Sequence, residues 1–216
     1  MPKLTIAIPT YNRAQWLEKC LSALGASLRQ SQARVTDLEI FVSDNASTDE
    51  SAKVVERAKA TIPGLQYHKL EQNVGANRNV AHCVRLAKGE YVWCIGDDDF
   101  VKPDAIDRLL EILDGSLDYA IINFQSIYAK NDVVESARRF PTNTDIYFSD
   151  PDSAMRYFHE FPGFISCVIA RKEILGCLTQ DEEDKFVACH FNQLYAFYKG
   201  IPGFYYIGII IALILI

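Results

Sequence analysis

Short apolar runs separated by amphipathic segments dominate the first half of the chain. The runs at residues 4–9, 38–43, 91–95 and 119–128 have the length and the bounding residues of buried β-strands, and the more polar segment 65–70 is predicted as a further strand. Apolar residues at helical spacing predict the helices between and after them, at residues 13–28, 50–61, 80–87 and 104–113. This alternation predicts an α/β fold with a mixed, mostly parallel sheet and helices on both faces.

The pattern after residue 128 is less regular. It predicts a loop or hairpin at residues 132–149, a strand at 163–170, and helices at 151–158, 172–178 and 186–198. Residues 204–216 are almost entirely apolar, but they fall well short of the ~20 residues that span a bilayer. A buried strand, an interfacial segment and the beginning of a longer region are three open interpretations of this end.

Composition narrows the class of protein. A chain of 216 residues with 49% hydrophobic content can bury the core of one α/β domain. The net charge is −6 and basic residues are scattered, so we expect no nucleic-acid partner. The six cysteines form no C-x-x-C pair and mostly sit in apolar runs, which predicts reduced, buried thiols in a cytosolic protein rather than a zinc site. The first apolar run is too short for a signal peptide.

Polar clusters follow the predicted strands. They are Pro9 to Asn12 with Thr10 and Tyr11 between, Asp44 with Asn45, Asn73 to Asn79, and Asp97 to Asp99. Ligands of open α/β sheets bind outside the carboxyl ends of the strands. Four polar clusters on one edge therefore predict a ligand site there.

The three consecutive aspartates are the strongest single signal. Like charges raise one another's pKa, and burial beside a sheet adds a desolvation cost that a divalent cation would remove. Mg²⁺ or Mn²⁺ suits carboxylate oxygens and commonly bridges them to substrate phosphates. The alternative is a solvated acidic turn in which Asp98 or Asp99 caps the helix near Pro103. The buried strand before the triplet and the neighbouring clusters favour the cation site.

The other clusters offer contacts to a nucleotide. Asp44 can accept a hydrogen bond from a base N–H or a ribose hydroxyl, or it can cap the following helix, a task for which Ser47 and Asp49 also qualify. Arg78 can fork onto a phosphate or pair with a nearby acid on the surface. Asn73 and Gly75 suit a tight loop that approaches a ligand, since glycine allows positive φ.

These motifs together resemble the family 2 glycosyltransferases, which have the Rossmann-like GT-A fold. The resemblance rests on Ile8 to Asn12, Val42 to Asp49, Asn73 to Asn79, and Ala87 to Tyr91 leading to Gly96 to Asp99. It covers roughly residues 3 to 115. Within the family the chain is most similar to abequosyltransferase-type enzymes of bacterial polysaccharide assembly, on Gly96 to Asp99 and Pro162 to Ser166.

The resemblance implies a site and a reaction. Residues 1–115 would form the half that binds a nucleotide-sugar donor, with Asp44 on the base or ribose. Asp97 and Asp99 would be the D-x-D pair that holds Mn²⁺ or Mg²⁺, Asp99 as the direct ligand. The other donor contacts would come from Pro9, Thr10, Tyr11, Asn12, Asn73, Gly75, Arg78 and Asp98. Residues 116–203 would bind a lipid-linked glycan acceptor at the inner face of the cell membrane, and residues 204–216 would offer a peripheral membrane contact.

The sequence departs from this family at the general base. Inverting members carry a Glu-Asp pair at the start of a later helix, and that position is His190 and Phe191 here. His190 can act as the base, because imidazole titrates near neutral pH, or it can be a structural histidine. Glu182, Glu183 and Asp184 lie just upstream as substitutes. The stereochemical outcome of the transfer therefore stays open.

Two other classes compete with a glycosyltransferase. A sugar nucleotidyltransferase would be expected to carry a glycine-rich, basic loop after the first strand, where this chain has Pro9 to Asn12. A nucleotide-sugar binding protein without catalysis is the second, and the missing carboxylate near His190 keeps this alternative open.

Overall fold

A computed structural model describes residues 1–113, 117–130, 133–138, 144–150, 165–176 and 204–215, with residues 153, 156, 157 and 182. Five helices are used below: α1 Ala14–Gln30, α2 Ser51–Ala58, α3 Ala76–Leu86, α4 Ala105–Ile112 and α5 Lys172–Leu175. The strands of the first half are β1 Leu4–Thr10, β2 Leu38–Asp44, β3 Gln66–Lys69, β4 Tyr91–Cys94 and β5 Phe100–Val101. The later strands are β6 Tyr119–Lys130, β7 Val133–Arg138, β8 Ile146–Phe148, β9 Val168–Arg171 and β10 Phe204–Leu215.

The described strands form one mixed sheet. Its order is β3-β2-β1-β4-β9-β6-β10-β5, with β7 paired to β6 and β8 paired to β10. The first four strands run parallel, and β9 then pairs antiparallel with both β4 and β6. The predicted mixed α/β fold is confirmed, and the parallel part is the part that positions the site.

Helices cover both faces of the sheet, as predicted. Ile6 and Ile8 pack in one core cluster with residues of α1, α2 and α4. Ala7 lies between them in sequence and packs in a different cluster with Cys83 and Val84 of α3. This division follows from the strand itself, because successive side chains of a strand point to opposite faces. Fully buried β1 residues on both faces hold the strand at the centre of the molecule.

The third helix begins earlier than predicted. The sequence pattern placed residues 73–79 in a loop, whereas α3 begins at Ala76 directly after Gly75, whose φ of 88° is readily adopted by glycine. Asn79 has low helix propensity, but it is buried against β2, where its side-chain amide donates to the carbonyl oxygen of Ser43 at 3.0 Å. This tertiary contact outweighs the local preference. Arg78 therefore lies in the first turn of a helix.

Later elements also refine the prediction. Residues 165–167 form a 3-10 turn, so the strand predicted from residue 163 begins at Val168. The polar stretch after residue 131 does form a hairpin, since β7 pairs antiparallel with β6. The predicted helix at 186–198, and most of that at 151–158, lies outside the described residues.

The apolar C-terminal segment forms a strand. β10 pairs parallel with β6 and antiparallel with β5 and β8, as the strand interpretation of this segment predicts. Within the described ranges, no helix combines the length and the apolar character needed to cross a membrane. The cysteines that the structure describes, Cys20, Cys83, Cys94 and Cys167, are buried thiols outside any disulfide, as predicted.

Candidate functional site

A cleft of about 460 Å³ opens at the carboxyl ends of β1, β2 and β4, beside the start of α3. All four polar clusters of the sequence contribute to its walls. The predicted site residues that line it are Pro9, Thr10, Tyr11, Asn73, Gly75, Asp97, Asp98 and Asp99. The lining also includes Arg13, Asn45, Ala76, Asn79, Val80, Gly96 and Ile165. The edge of the sheet that was predicted to bind a ligand therefore forms a concave cleft.

The acidic triplet is held within the cleft by burial and hydrogen bonds and is not a solvated turn. Asp97 and Asp99 are only 4% and 5% exposed. The hydroxyl of Thr10 donates to Asp97 Oδ2 at 2.6 Å, which joins the end of β1 to the loop after β4. Asp104, and not Asp98 or Asp99, stands at the start of α4, so the alternative of a helix-capping acidic turn is wrong.

Ser166 organises the other side of the triplet. Its hydroxyl donates to Asp99 Oδ2 and accepts the backbone N–H of Gly96 at 2.8 Å. Its carbonyl oxygen accepts the indole N–H of Trp93 at 2.8 Å. In the sequence, this serine stands out only as the last residue of the motif Pro162 to Ser166. The structure shows that it fixes the orientation of Asp99.

Arg13 is a site residue that sequence reasoning missed. Its guanidinium lies 3.2 Å from Asp97 Oδ1 and 2.6 Å from Asp98 Oδ2. From its sequence pattern, Arg13 is predicted only as the first residue of a helix. The available signal was a basic residue directly after the polar cluster Pro9 to Asn12, which follows the first strand.

Burial dominates the electrostatics of Asp97. Desolvation raises the pKa of this carboxyl to about 6, against the opposing effects of the Thr10 hydroxyl and the Arg13 guanidinium. Among the residues that the structure describes, no group of three or more His, Cys, Asp or Glu side chains could enclose a metal ion. The carboxylates of Asp97 and Asp99 are oxygen donors of the kind that Mg²⁺ or Mn²⁺ commonly shares, one or two at a time, with substrate phosphates and water.

Asp44 lies at the end of β2 and is fully buried. Its Oδ1 accepts the backbone N–H of Ser47 at 2.7 Å, and its Oδ2 accepts the hydroxyl of Tyr67. It does not line the cleft, whereas its neighbour Asn45 does. In this state the Asp44 carboxylate supports the loop that carries Asn45, and its contact with a nucleoside stays a prediction.

Asn12 and Asp49 hold the same region together. The Asn12 side-chain oxygen accepts the N–H of Thr48 at 2.8 Å. Asn12 is not among the residues that line the cleft, and its backbone has a left-handed conformation with φ of 52°. One Asp49 oxygen accepts the N–H of Ala14, where α1 begins. The other accepts the N–H of Ser51, where α2 begins. Asp49 thus accepts a backbone N–H at the start of both helices. This is the capping role that the sequence left open among Asp44, Ser47 and Asp49.

The third cluster closes the far side of the cleft. Asn73 Oδ1 accepts hydrogen bonds from the Asn45 amide and the Gly75 N–H, both at 2.8 Å. Asn45 Oδ1 in turn accepts the N–H of Val74 at 2.9 Å. Arg78 is exposed and is not among the lining residues. His190, Glu183 and Asp184 lie outside the described residues, so the identity of a general base stays a prediction.

Comparison with known proteins assigns the chain to a family. The pattern of the family described as Glycosyl transferase family 2 matches residues 5–179. The abequosyltransferase RfbV of Salmonella typhimurium is 35% identical over 117 residues, which are 53% of this chain and 34% of that protein. The GalNAc(5)-diNAcBac-PP-undecaprenol beta-1,3-glucosyltransferase of Campylobacter jejuni is 35% identical over 113 residues, 51% of this chain and 34% of its own. The chain spans about a third of the length of these two curated relatives.

Solved structures share the fold. The TarS fragment 1–349 of Staphylococcus aureus in complex with UDP-GlcNAc superposes with a TM-score of 0.69 at 18% identity, over 99% of this chain and 58% of that one. The mannosyltransferase PcManGT of Pyrobaculum calidifontis, in complex with GDP-Man and Mn²⁺, gives a TM-score of 0.53 at 19% identity, over 81% of this chain and 45% of that one.

Proposed function

Because the chain belongs to glycosyl transferase family 2, we propose that its cleft binds a nucleotide-sugar donor and that the protein transfers the sugar to a glycan acceptor. The observation that carries this proposal is the convergence of four strand-end clusters on one cleft that buries two carboxylates. A volume of about 460 Å³ lies within the ordinary range for small-molecule sites.

The nucleoside would lie on the β1 side of the cleft. Tyr11 is 42% exposed and lines the cleft, where an aromatic side chain offers a flat apolar surface to a base. Asp44 would receive a base N–H or a ribose hydroxyl in exchange for the hydroxyl of Tyr67. Pro9, Thr10 and Asn12 would shape this pocket.

The diphosphate and sugar would lie between the third cluster and the acidic triplet. Asn73 and Gly75 supply that wall, and Arg78 stands one helical turn away as a phosphate contact. Asp97 and Asp99 would hold Mn²⁺ or Mg²⁺, with Asp99 as the direct ligand. When bound, such an ion stabilises the negative charge that develops on the departing nucleoside diphosphate. Thr10 and Ser166 orient the two carboxylates for this task.

The acceptor half would comprise residues 116–203, beside a donor half at residues 1–115. We propose a lipid-linked glycan acceptor in bacterial surface polysaccharide synthesis, at the cytoplasmic face of the cell membrane. The names of the two curated relatives support this class, since one contains an undecaprenol-linked acceptor and the other an abequosyl group. His190 is the proposed general base. Peripheral membrane contact through residues 204–216 would have to be made by a segment that pairs as β10.

A thermal-shift panel tests the donor class. UDP, GDP, CDP and dTDP are each added with Mn²⁺ or with EDTA, and inorganic diphosphate with Mn²⁺ controls for phosphate binding alone. A ligand at 100 times its Kd stabilises the native state by about 2.7 kcal/mol. In a chain of this size that raises the melting temperature by about 5–10 °C. At least one nucleotide should do so with Mn²⁺, and a panel with no shift would contradict the proposal.

A further inference from the structure

The side chain of Arg13 bridges two carboxylates of the acidic triplet, those of Asp97 and Asp98. Its Nη1 lies 3.2 Å from Asp97 Oδ1 and its Nη2 donates to Asp98 Oδ2 at 2.6 Å. The other oxygen of Asp97 already accepts the Thr10 hydroxyl at 2.6 Å. The guanidinium therefore occupies Asp97 Oδ1, the carboxylate oxygen that a metal ion would otherwise contact.

The backbone of Arg13 is fixed while its side chain has space to move. Its carbonyl oxygen accepts the N–H groups of Trp16 and Leu17, both at 3.0 Å, at the start of α1. The side chain is 42% exposed and lines the cleft on one side. On the other side it lines a groove of about 500 Å³, between the beginnings of α1 and α2, whose walls include Asp49 and Glu50. The guanidinium thus stands on the border of two open spaces.

We propose that Arg13 is an internal counter-cation of the acidic triplet, and that it leaves Asp97 when a divalent metal ion and the donor diphosphate bind together. This inference rests on the proposed function. A guanidinium and a divalent ion at the same carboxylate repel each other. A metal ion that binds alone must therefore displace the Arg13 guanidinium from Asp97 without offering it a new anionic partner. A diphosphate supplies that compensation, because the planar guanidinium can fork onto phosphate oxygens.

The consequence is cooperative binding of metal and nucleotide. The metal binds weakly to the empty site and tightly once the diphosphate is present, and linkage requires the nucleotide to gain by the same factor from the metal. A purely structural Arg13 that pins the β1 and β4 loops together would lower thermal stability but would leave this coupling factor unchanged.

Calorimetry on the full chain separates these roles. Mn²⁺ affinity is measured at pH 8, alone and with the tightest binder among UDP, GDP, CDP and dTDP. The variants are Arg13→Gln, Arg13→Lys and the control Arg57→Gln, which removes an exposed arginine that lines the same groove and pairs with Glu18.

Arg13→Gln should bind Mn²⁺ alone about tenfold more tightly than the wild type, and its coupling factor should fall about tenfold. Arg13→Lys keeps the charge but cannot fork, so Mn²⁺ alone should bind as weakly as in the wild type while nucleotide coupling falls. Arg57→Gln should match the wild type in both. Unchanged or weaker Mn²⁺ binding by Arg13→Gln, or unchanged coupling in both Arg13 variants, would overturn the inference. A wild type that binds Mn²⁺ but no nucleotide would instead refute the proposed function.

Discussion

Replacing Ser166 by alanine removes one hydroxyl that supports two residues of the cleft lining, Gly96 and Asp99. That hydroxyl donates to Asp99 and accepts the N–H of Gly96 at 2.8 Å, and Ser166 is fully buried. The backbone contact with Trp93 survives the substitution, because it uses the carbonyl oxygen of residue 166. The change is therefore confined to the support of the acidic triplet.

The expected cost follows from the two bonds. A hydrogen bond to a charged group contributes about 1.5–3 kcal/mol, and a buried N–H left without a partner costs about 1–3 kcal/mol. Partial relaxation leaves a combined loss of about 3 kcal/mol in the free energy of unfolding, or about 6–12 °C in melting temperature. Asp99 also loses its fixed orientation, so Mn²⁺-dependent nucleotide affinity should fall at least about tenfold, equivalent to about 1.4 kcal/mol.

Urea unfolding and calorimetry measure the two effects separately, and Ser27→Ala is the matched control. Ser27 is also fully buried, but its hydroxyl donates to the carbonyl oxygen of Lys102 at 2.9 Å, outside the cleft lining. Ser27→Ala should lose about 1 kcal/mol of stability with unchanged nucleotide affinity. Equal nucleotide affinities in the two variants would refute the assigned role of Ser166.

Three further substitutions probe other parts of the account. Gly89→Ala should lower stability by about 3 kcal/mol in urea unfolding, because its Cβ would lie 2.6 Å from the backbone nitrogen of Thr5; a wild-type transition would contradict this packing. Tyr67→Phe removes the hydroxyl that donates to buried Asp44 and should cost about 1–2 kcal/mol, and an unaltered unfolding midpoint would argue against that bond. His190→Ala should keep donor binding but suppress sugar transfer to the acceptor, and a fully active variant would remove His190 from the mechanism.

The periodicity of the sequence was sufficient for the parallel half of the fold. Strands β1, β2 and β4 are short apolar runs, whereas β3 is a mixed segment between Leu65 and Leu70. The polar residues after all four strands meet in the cleft because parallel strands share a carboxyl edge. Periodicity carries no information on which strand lies beside which. The insertion of β9 between β4 and β6, antiparallel to both, therefore emerged only in the structure.

The missed site residues have a different cause. Arg13 meets Asp98 across 85 positions of sequence, and Ser166 meets Asp99 across 67. Neither residue belongs to a local pattern that names its partner. The early start of α3 was missed for a related reason, since the contact of Asn79 with β2 outweighs its weak helix propensity. Local chemistry predicted the cleft, and long-range contacts decide how its carboxylates are held.

The central claim is that Asp99 joins metal and donor in this cleft. Calorimetric titration of the best nucleoside diphosphate into wild type, Asp99→Ala and the exposed control Asp104→Ala, each with Mn²⁺ and with EDTA, tests it most directly. Wild type and Asp104→Ala should bind the nucleotide more tightly with Mn²⁺, and Asp99→Ala should lose that gain. Unchanged nucleotide affinity of Asp99→Ala in the presence of Mn²⁺ would contradict the claim.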